Sequence, residues 1–372
     1  MRGPIVITGG GTGGHIFPMQ AVAEALCARG VAASALRFVG SRRGQESSLL
    51  ASGPVALTLL PGRGLRRSIT LRALVANVGA VIGLAAAVLV ALVKVGRWRP
   101  SVVVSVGGYA SFPASLAAWA WRRPLVLIEL DAAPGAAHRL FVRYAVKRCM
   151  AFWSDAPRTV VTGAPLRESV AGLDRSPESR REACAAMDPP IDPSRDIVIV
   201  MTGSLGSTRV NAAISEVVTM WHDRSDRAIV HVSGRRDYPD VTSRTPDLHG
   251  LDYRVVEFGD MTLLWRLCDV AVCRSGATTV AELTGLGIPS VLVPLPGAPG
   301  DHQTKNAQSL VDRGAAVVLE DAHCEASVLA PLVEYVLDPD NRRRMGEAAR
   351  SLGHLDAATS IARVILDVRG DV

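Results

Sequence analysis

The stretch Ile5-Val6-Ile7-Thr8-Gly9-Gly10-Gly11-Thr12-Gly13-Gly14-His15 decides the fold. Four β-favouring residues end in a glycine-rich turn that opens a helix, as in a phosphate- or nucleotide-binding βαβ unit. A second such turn, Thr202-Gly203-Ser204-Leu205-Gly206-Ser207, follows the strand-like run Ile197–Met201. Working outward, short apolar runs alternate with helix-length segments. Strands are predicted over 4–8, 35–39, 55–60, 101–106, 125–129, 148–152 and 159–162, then over 197–201, 228–232, 254–256, 270–273, 290–293 and 316–319. That alternation implies an α/β chain with parallel sheets. Because each glycine turn follows the first strand of its half, the chain reads as two tandem Rossmann-like domains, over 1–165 and 166–351. The joint falls near Gly163-Ala164-Pro165-Leu166-Arg167. Polar sequence at Asp174–Arg181 and Asp188–Arg195 predicts a surface excursion. The end, Arg342–Val368, has a helical pattern, and its last part (about 352–372) is expected to pack back on the first domain.

A length of 372 residues suits two cores, and 48% apolar residues with only 5% aromatic suits sheets covered by helices. The charge of +6 suits anionic lipid or phosphorylated ligands, but it is not gathered in one run, which speaks against a nucleic-acid tail. Cys27, Cys149, Cys184, Cys268, Cys273 and Cys324 form no CxxC pair and no zinc spacing, so they read as buried reduced thiols of a cytosolic protein, with no metal site. The strand begins so early that no signal peptide has room before it.

Ala73–Val93 carries no charge and one amide, Asn77, and passes as a transmembrane candidate by length. Its place between two strands of one expected sheet argues against spanning. Its Ala-, Val- and Gly-rich composition also gives a weak drive to insert. Arg66, Arg67 and Arg72 precede it, and Lys94, Arg97 and Arg99 follow it, with Arg122 and Arg123 beyond. A helix half packed on the first domain and half exposed as a membrane-docking patch is the expectation.

Gly9, Gly11 and Gly14 match GxGxxG, a weak signal alone. The second strand ends at Gly40-Ser41-Arg42-Arg43 with no acidic residue, so Arg42 and Arg43 could receive the 2′-phosphate of NADP. His15, at the entry of the helix, instead places a titratable ring at a ligand-facing edge. The most informative stretch is Cys273-Arg274-Ser275-Gly276-Ala277-Thr278-Thr279-Val280-Ala281-Glu282. A strand ends in Arg-Ser-Gly, and the N–H groups of the helix that follows make a diphosphate site. Glu282 lies about one and a half turns in, where a carboxylate can accept both hydroxyls of a ribose. Gln303 and Asn306 share a helix face and suit a sugar rich in hydroxyls.

Together these residues resemble the MurG family, the N-acetylglucosaminyltransferases of peptidoglycan synthesis. The likeness runs nearly end to end: Gly9–Pro18, Gly107–Pro113, Gly163–Arg167, Gly203–Gly206, His231–Gly234, Glu257–Met261, Cys273–Glu282 and Asp301–Ala307. It implies the GT-B glycosyltransferase fold, two Rossmann-like domains with a cleft between them, and no required cofactor. The implied reaction moves N-acetylglucosamine, with inversion, from UDP-N-acetylglucosamine to the C4 hydroxyl of undecaprenyl-diphospho-N-acetylmuramoyl-pentapeptide. The implied setting is peripheral, on the cytoplasmic face of the plasma or inner membrane, against an anionic surface, within a cell-wall or division complex.

Carried over by position, Thr12, Gly13 and Gly14 lie near the sugar or the acceptor phosphate, and His15 is a candidate base. Glu129 is a second catalytic candidate. Arg167 and Ser204 contact the donor, Met261 sits beside the uracil, and Ala277, Thr278 and Thr279 serve the diphosphate with Arg274, Ser275 and Gly276. Glu282 serves the ribose, and Gln303 and Asn306 the sugar. Three places depart from the family. Its His-Glu-Gln-Asn reads Ile128-Glu129-Leu130-Asp131, its Gly-Asn-Pro reads Gly163-Ala164-Pro165, and its Gly-Ser-Gln-Gly reads Gly203-Ser204-Leu205-Gly206. Asp131 can accept a hydrogen bond from a sugar hydroxyl but not donate one. A GT-B relative with another sugar or acceptor, a non-catalytic UDP-sugar-binding member and an NADP-dependent oxidoreductase therefore remain as alternatives. The last lacks a Tyr-x-x-x-Lys.

Overall fold

A computed structural model describes residues 3–11, 13–62, 71–203 and 205–371, with the backbone alone given for 71–78. The chain divides into two compact units, Met1–Glu168 with Leu355–Val372, and Ser169–His354. The first holds β1 (Ile5–Thr8), β2 (Leu36–Ser41), β3 (Ala56–Leu60), β4 (Val102–Ser105), β5 (Leu125–Glu129), β6 (Lys147–Met150) and β7 (Thr159–Val161). They form one sheet in the order β3-β2-β1-β4-β5-β6-β7. The second unit holds β8 (Asp196–Met201), β9 (Arg227–Val232), β10 (Asp252–Val256), β11 (Val270–Cys273), β12 (Ser290–Leu292) and β13 (Ala316–Val318), in the order β10-β9-β8-β11-β12-β13. The strand pairings, from β1 with β2 to β8 with β9, are parallel. Both sheets therefore carry the doubly wound Rossmann order, with a switch point beside the first strand.

Strands such as Ile5–Thr8 and Val102–Ser105 are buried along their whole length, because helices cover both faces of a parallel sheet. They consequently read as continuous apolar runs rather than alternating ones. The helix Ala277–Leu286 ends where Gly287 turns left-handed (φ +64°) and its N–H reaches Leu283 O and Thr284 O, a stop that glycine adopts without strain. The helix Ala357–Arg369 packs on Gly13–Ala28 within the first unit.

The segment around Asp174–Arg181 differs from the expected excursion. It contains the helix Pro177–Ala185, opened by Ser176, whose Oγ accepts from Ser179 N at 3.2 Å, with Pro177 in the first turn. Arg175 donates to the carbonyls of Trp265 (2.9 Å), Leu286 (2.8 Å) and Cys268, pinning the segment to the second core. These partners lie 90 to 111 residues away and leave no local sequence signal. Five of the cysteines are buried, but Cys27 is exposed at the end of its helix. Burial raises the Cys149 and Cys268 thiols to about 12.

The long apolar helix runs Leu71–Trp98, and β3 and β4 on either side of it lie in the same sheet, separated by β2 and β1 rather than paired. Gly79–Trp98 is the part long and apolar enough to cross a membrane by composition. Ala80, Ala87, Ala91 and Val95 are buried at helical spacing, while Val81, Ile82, Leu89 and Val93 are 55–68% exposed. The small-residue stripe lets the helix lie close on Ser111–Ala120, and Gly96 admits the ring of Trp121, whose Nε1 donates to Leu92 O at 2.8 Å. Arg66 and Arg67 lie outside the described residues, as does the side chain of Arg72; Lys94, Arg97, Arg99 and Arg122 are exposed.

Behind the second glycine turn lies a buried polar network. His231 Nε2 donates to Asn211 Oδ1 (2.9 Å), and its Nδ1 accepts from Tyr253 OH (2.9 Å). Asn211 Nδ2 in turn donates to Ser233 O and Asp237 Oδ2, both at 3.0 Å. The neutral ring satisfies every partner, and burial pushes its pKa from 6.5 down to about 3. The unfolded chain binds this proton near pH 6.5 and the folded chain only near pH 3, so stability is lost as pH falls through that window. Urea titrations at pH 7, 6, 5 and 4 should show the wild type losing stability more steeply below pH 6.5 than His231→Gln, by the uptake of up to one extra proton on unfolding. Parallel pH profiles of the two proteins would refute the assignment.

Candidate active site

In the first unit the loops after β1 and β4 meet at the switch point. Gly10 (φ +124°) and Gly11 (φ +102°) face Gly107 (φ +101°) and Gly108 (φ +77°). A Cβ on Gly108 would lie 2.4 Å from Gly10 O, so only glycine permits the approach. The helix Gly13–Ala28 begins at once, with Gly14 exposed and Gly13 and His15 half-buried in its first turn. Thr12 lies outside the described residues. The His15 ring lies against Gly107, with Cδ2 and Nε2 3.3 and 3.4 Å from where that glycine's Cβ would be. Arg167 stacks over Phe17 of the same helix at 4.3 Å, which fixes the guanidinium beside the loop. Asp131 is half-buried just past β5.

Glu129, expected from the sequence to be catalytic, is 2% exposed and has no open face toward a ligand. Its Oε2 accepts from His138 Nδ1 at 3.0 Å, and His138 Nε2 is 2.8 Å from Ser105 Oγ. With Nδ1–H given to the carboxylate, Nε2 accepts from the serine hydroxyl. Arg148 Nη2 stands 3.9 Å from the other carboxylate oxygen. His138 Cε1 also borders Gly107, 3.6 Å from its missing Cβ, so Glu129 reaches the loop only through an imidazole. Ser105, His138 and Arg148 gave no signal in sequence, since each meets its partner on a different element of the fold.

Glu46 was also missed. It is fully buried, and its Oε1 accepts from Gly11 N (3.0 Å) and Ser41 N (2.9 Å). Tyr109 closes this corner, donating to Gly62 O at 2.7 Å and lying 2.5 Å from Ser41 Oγ; burial raises its pKa. Arg42 and Arg43 are exposed. The end of β2, where an NADP site would form, is thus filled by the chain's own carboxylate.

In the second unit the loops after β8 and β11 flank the equivalent switch point. Gly203 (φ +93°) and Gly206 (φ +91°) bound the turn; Ser204 lies outside the described residues, and Leu205 is 66% exposed. A Cβ on Gly234 would fall 2.3 Å from Gly206 N. After β11, Gly276 caps the helix Ala277–Leu286, and a Cβ there would meet nothing within 4 Å. Gly276, Ala277, Thr278 and Thr279 are half-buried, so the first turn, with the positive end of its helix, stands at an open approach.

Several neighbours expected to touch ligand are instead used to build this turn. Arg274 donates to Val293 O and Pro294 O (both 3.0 Å) and to Ser207 Oγ (2.5 Å), and pairs with Asp321 at 2.7 Å. Ser275 is fully buried and its Oγ donates to Gln303 O at 2.8 Å. Asn306, also fully buried, donates to Ser275 O at 3.1 Å, so its amide braces the turn rather than facing a sugar. Gln303 is half-buried at the start of the helix His302–Val311, its Oε1 accepting from Leu295 N at 3.0 Å. Glu282 is 8% exposed, and its Oε2 accepts from the indole N–H of the fully buried Trp265 at 3.0 Å, which fixes the carboxylate. Met261 opens the helix Met261–Leu267, capped by Asp260, whose Oδ1 accepts from Thr262 N at 2.9 Å. Among the described residues no group of three His, Cys, Asp or Glu side chains has metal-binding geometry.

The chain matches the glycosyltransferase family 28 N-terminal domain over residues 5–150 and the family 28 C-terminal domain over 197–361. A UDP-N-acetylglucosamine–N-acetylmuramyl-(pentapeptide) pyrophosphoryl-undecaprenol N-acetylglucosamine transferase from Salinibacter ruber is 38% identical, covering 97% of this chain and 96% of its own. One of the same description from Anaeromyxobacter dehalogenans is also 38% identical, over 98% and 92%. The crystal structure of Acinetobacter baumannii MurG superposes with a TM-score of 0.75 at 25% identity, covering 98% and 99% of the two chains. With both glycine turns, the Arg274–Glu282 turn and helix, and this full-length likeness, the chain belongs to the MurG family of N-acetylglucosaminyltransferases, a branch of glycosyltransferase family 28.

Proposed function

We propose that this protein transfers N-acetylglucosamine from UDP-N-acetylglucosamine to the C4 hydroxyl of undecaprenyl-diphospho-N-acetylmuramoyl-pentapeptide, with inversion and release of UDP. The observation that carries the reading is the 38% identity to transferases of that description across 97% of the chain. The donor belongs to the second unit. The N–H groups of Ala277–Thr279 and the positive helix end stabilise the departing diphosphate, so we assign the reaction no cofactor. Glu282, held by Trp265, takes the ribose; Gln303 takes the sugar and Met261 borders the uracil, with Ser204 beside phosphate. Arg274, Ser275 and Asn306 position the turn.

The acceptor's phosphate belongs to the first unit, at Gly13, Gly14 and Thr12, with Asp131 and Arg167 lining the ligand space. His15 is the general base that takes the hydroxyl proton, and Glu129 acts through His138. We place the protein peripherally at the cytoplasmic face of the plasma or inner membrane. The exposed row Ile82, Leu89 and Val93, flanked by Lys94, Arg97 and Arg122, meets an anionic surface there, where wall-synthesis and division complexes would be its neighbours.

His15→Ala should lower kcat about a hundredfold or more with little change in donor KM. Glu282→Gln, which keeps an acceptor for Trp265, should raise donor KM about 10- to 100-fold with a smaller effect on kcat. Steady-state kinetics with UDP-N-acetylglucosamine and a short-chain lipid acceptor separates them, and equal loss of both parameters in both variants would defeat the roles. In vesicle sedimentation, Ile82→Asp/Leu89→Asp/Val93→Asp should bind phosphatidylglycerol vesicles about tenfold or more weakly than wild type, at unchanged Tm. Wild-type protein that stays bound through high salt and alkaline wash would refute surface docking.

A further inference from the structure

Three glycines of the first unit surround one carboxylate. A Cβ on Gly10 would lie 2.1 Å from Glu46 Oε1, one on Gly40 2.7 Å from its Cγ, and one on Gly44 1.8 Å from its Oε2. The group so enclosed has no exposed surface. Its Oε1 holds Gly11 N and Ser41 N, joining the glycine turn after β1 to the end of β2, and its Oε2 has no hydrogen-bond partner among the described residues. A buried carboxylate oxygen without a donor is costly to keep, and a well-packed apolar side chain would be cheaper if only packing mattered.

We propose that Glu46 is a positioning residue for acceptor recognition, an internal anion that sets the phosphate-receiving loop. By occupying Gly11 N–H it removes one donor from the turn and leaves the N–H groups at the start of Gly13–Ala28 as those that face a diphosphate. By holding Ser41 N–H as well, it ties that choice to the sheet, so the loop is fixed before ligand arrives. The inference rests on the reading of this loop as the acceptor site.

The test is a double-mutant cycle read in acceptor and donor kinetics. Glu46→Ala should lower kcat/KM for the lipid acceptor about 10- to 100-fold while donor KM moves less than about twofold. Glu46→Gln, which keeps an oxygen for both N–H groups, should restore most of that loss. Gly44→Ala displaces the carboxylate without removing it and should reproduce the Glu46→Ala defect, and the double variant should be no worse than Glu46→Ala alone. Amide hydrogen exchange over residues 9–11 should speed up in Glu46→Ala. A defect shared equally by donor and acceptor, no rescue by glutamine, or an additive cycle would overturn the proposal. Gly14→Asp, which places a charge at the exposed loop, separates the two readings. If it leaves acceptor KM unchanged, the acceptor-site assignment itself fails, whatever Glu46 does.

Discussion

Backbone pressed against backbone at the carboxyl ends of both sheets is the constraint on which the rest depends. In the first unit the turn after β1 meets the turn after β4 at Gly10 and Gly108, and in the second the turn after β8 meets the one after β9 at Gly206 and Gly234. None of these contacts leaves space for a side chain, and all four glycines have φ values between +77° and +124°. Strand order then decides what the close approach is for. With helices on both faces, the ends of the strands at the switch point are where main-chain N–H groups can be offered to a ligand. The Rossmann order recurs in both units, so each presents one such edge.

The two edges are finished differently. The second is braced by cations and amides: Arg274 bridges three segments and Asp321, while Asn306 and Ser275 tie the turn to the next helix. This leaves the positive end of the helix Ala277–Leu286 at a half-buried, approachable surface. The first is braced by carboxylates, Glu46 below the turn and Glu129 behind His138. An edge underlain by anions binds phosphate less tightly than one underlain by arginine.

The thirteen strands among the described residues were legible in the sequence to within a residue or two, because buried parallel strands announce themselves as short apolar runs between helix-length segments. So were the two glycine turns and the strand–turn–helix around Gly276, which are local. What escaped was everything held by partners distant in sequence. Nothing in the sequence singles out Glu46 or His138, and Arg175 falls in a stretch that reads as a surface excursion. Asn306 and Glu129 stand out in the sequence, but the partners that bury them, Ser275 and His138, do not. A polar residue near a ligand site has two uses, touching the ligand or holding what does, and only the fold tells them apart. The apolar helix was ambiguous for a similar reason. Composition cannot distinguish a span from a helix whose alanines face a core, and the stripe Ala80, Ala87, Ala91 and Val95 becomes meaningful only against Ser111–Ala120.

The return of Ala357–Arg369 to the first unit bears on how the protein is made. The helix that it covers, Gly13–Ala28, is the one carrying the first glycine turn and His15. During translation that helix must wait, with an apolar face unsatisfied, until the whole of Ser169–His354 has emerged. The second unit, contiguous in sequence, can close on its own as it leaves the ribosome, while the first is completed last. A nascent chain interrupted shortly after residue 354 would therefore own a whole second unit and an unfinished first one. Order of synthesis and order of completion are thus reversed for the two units.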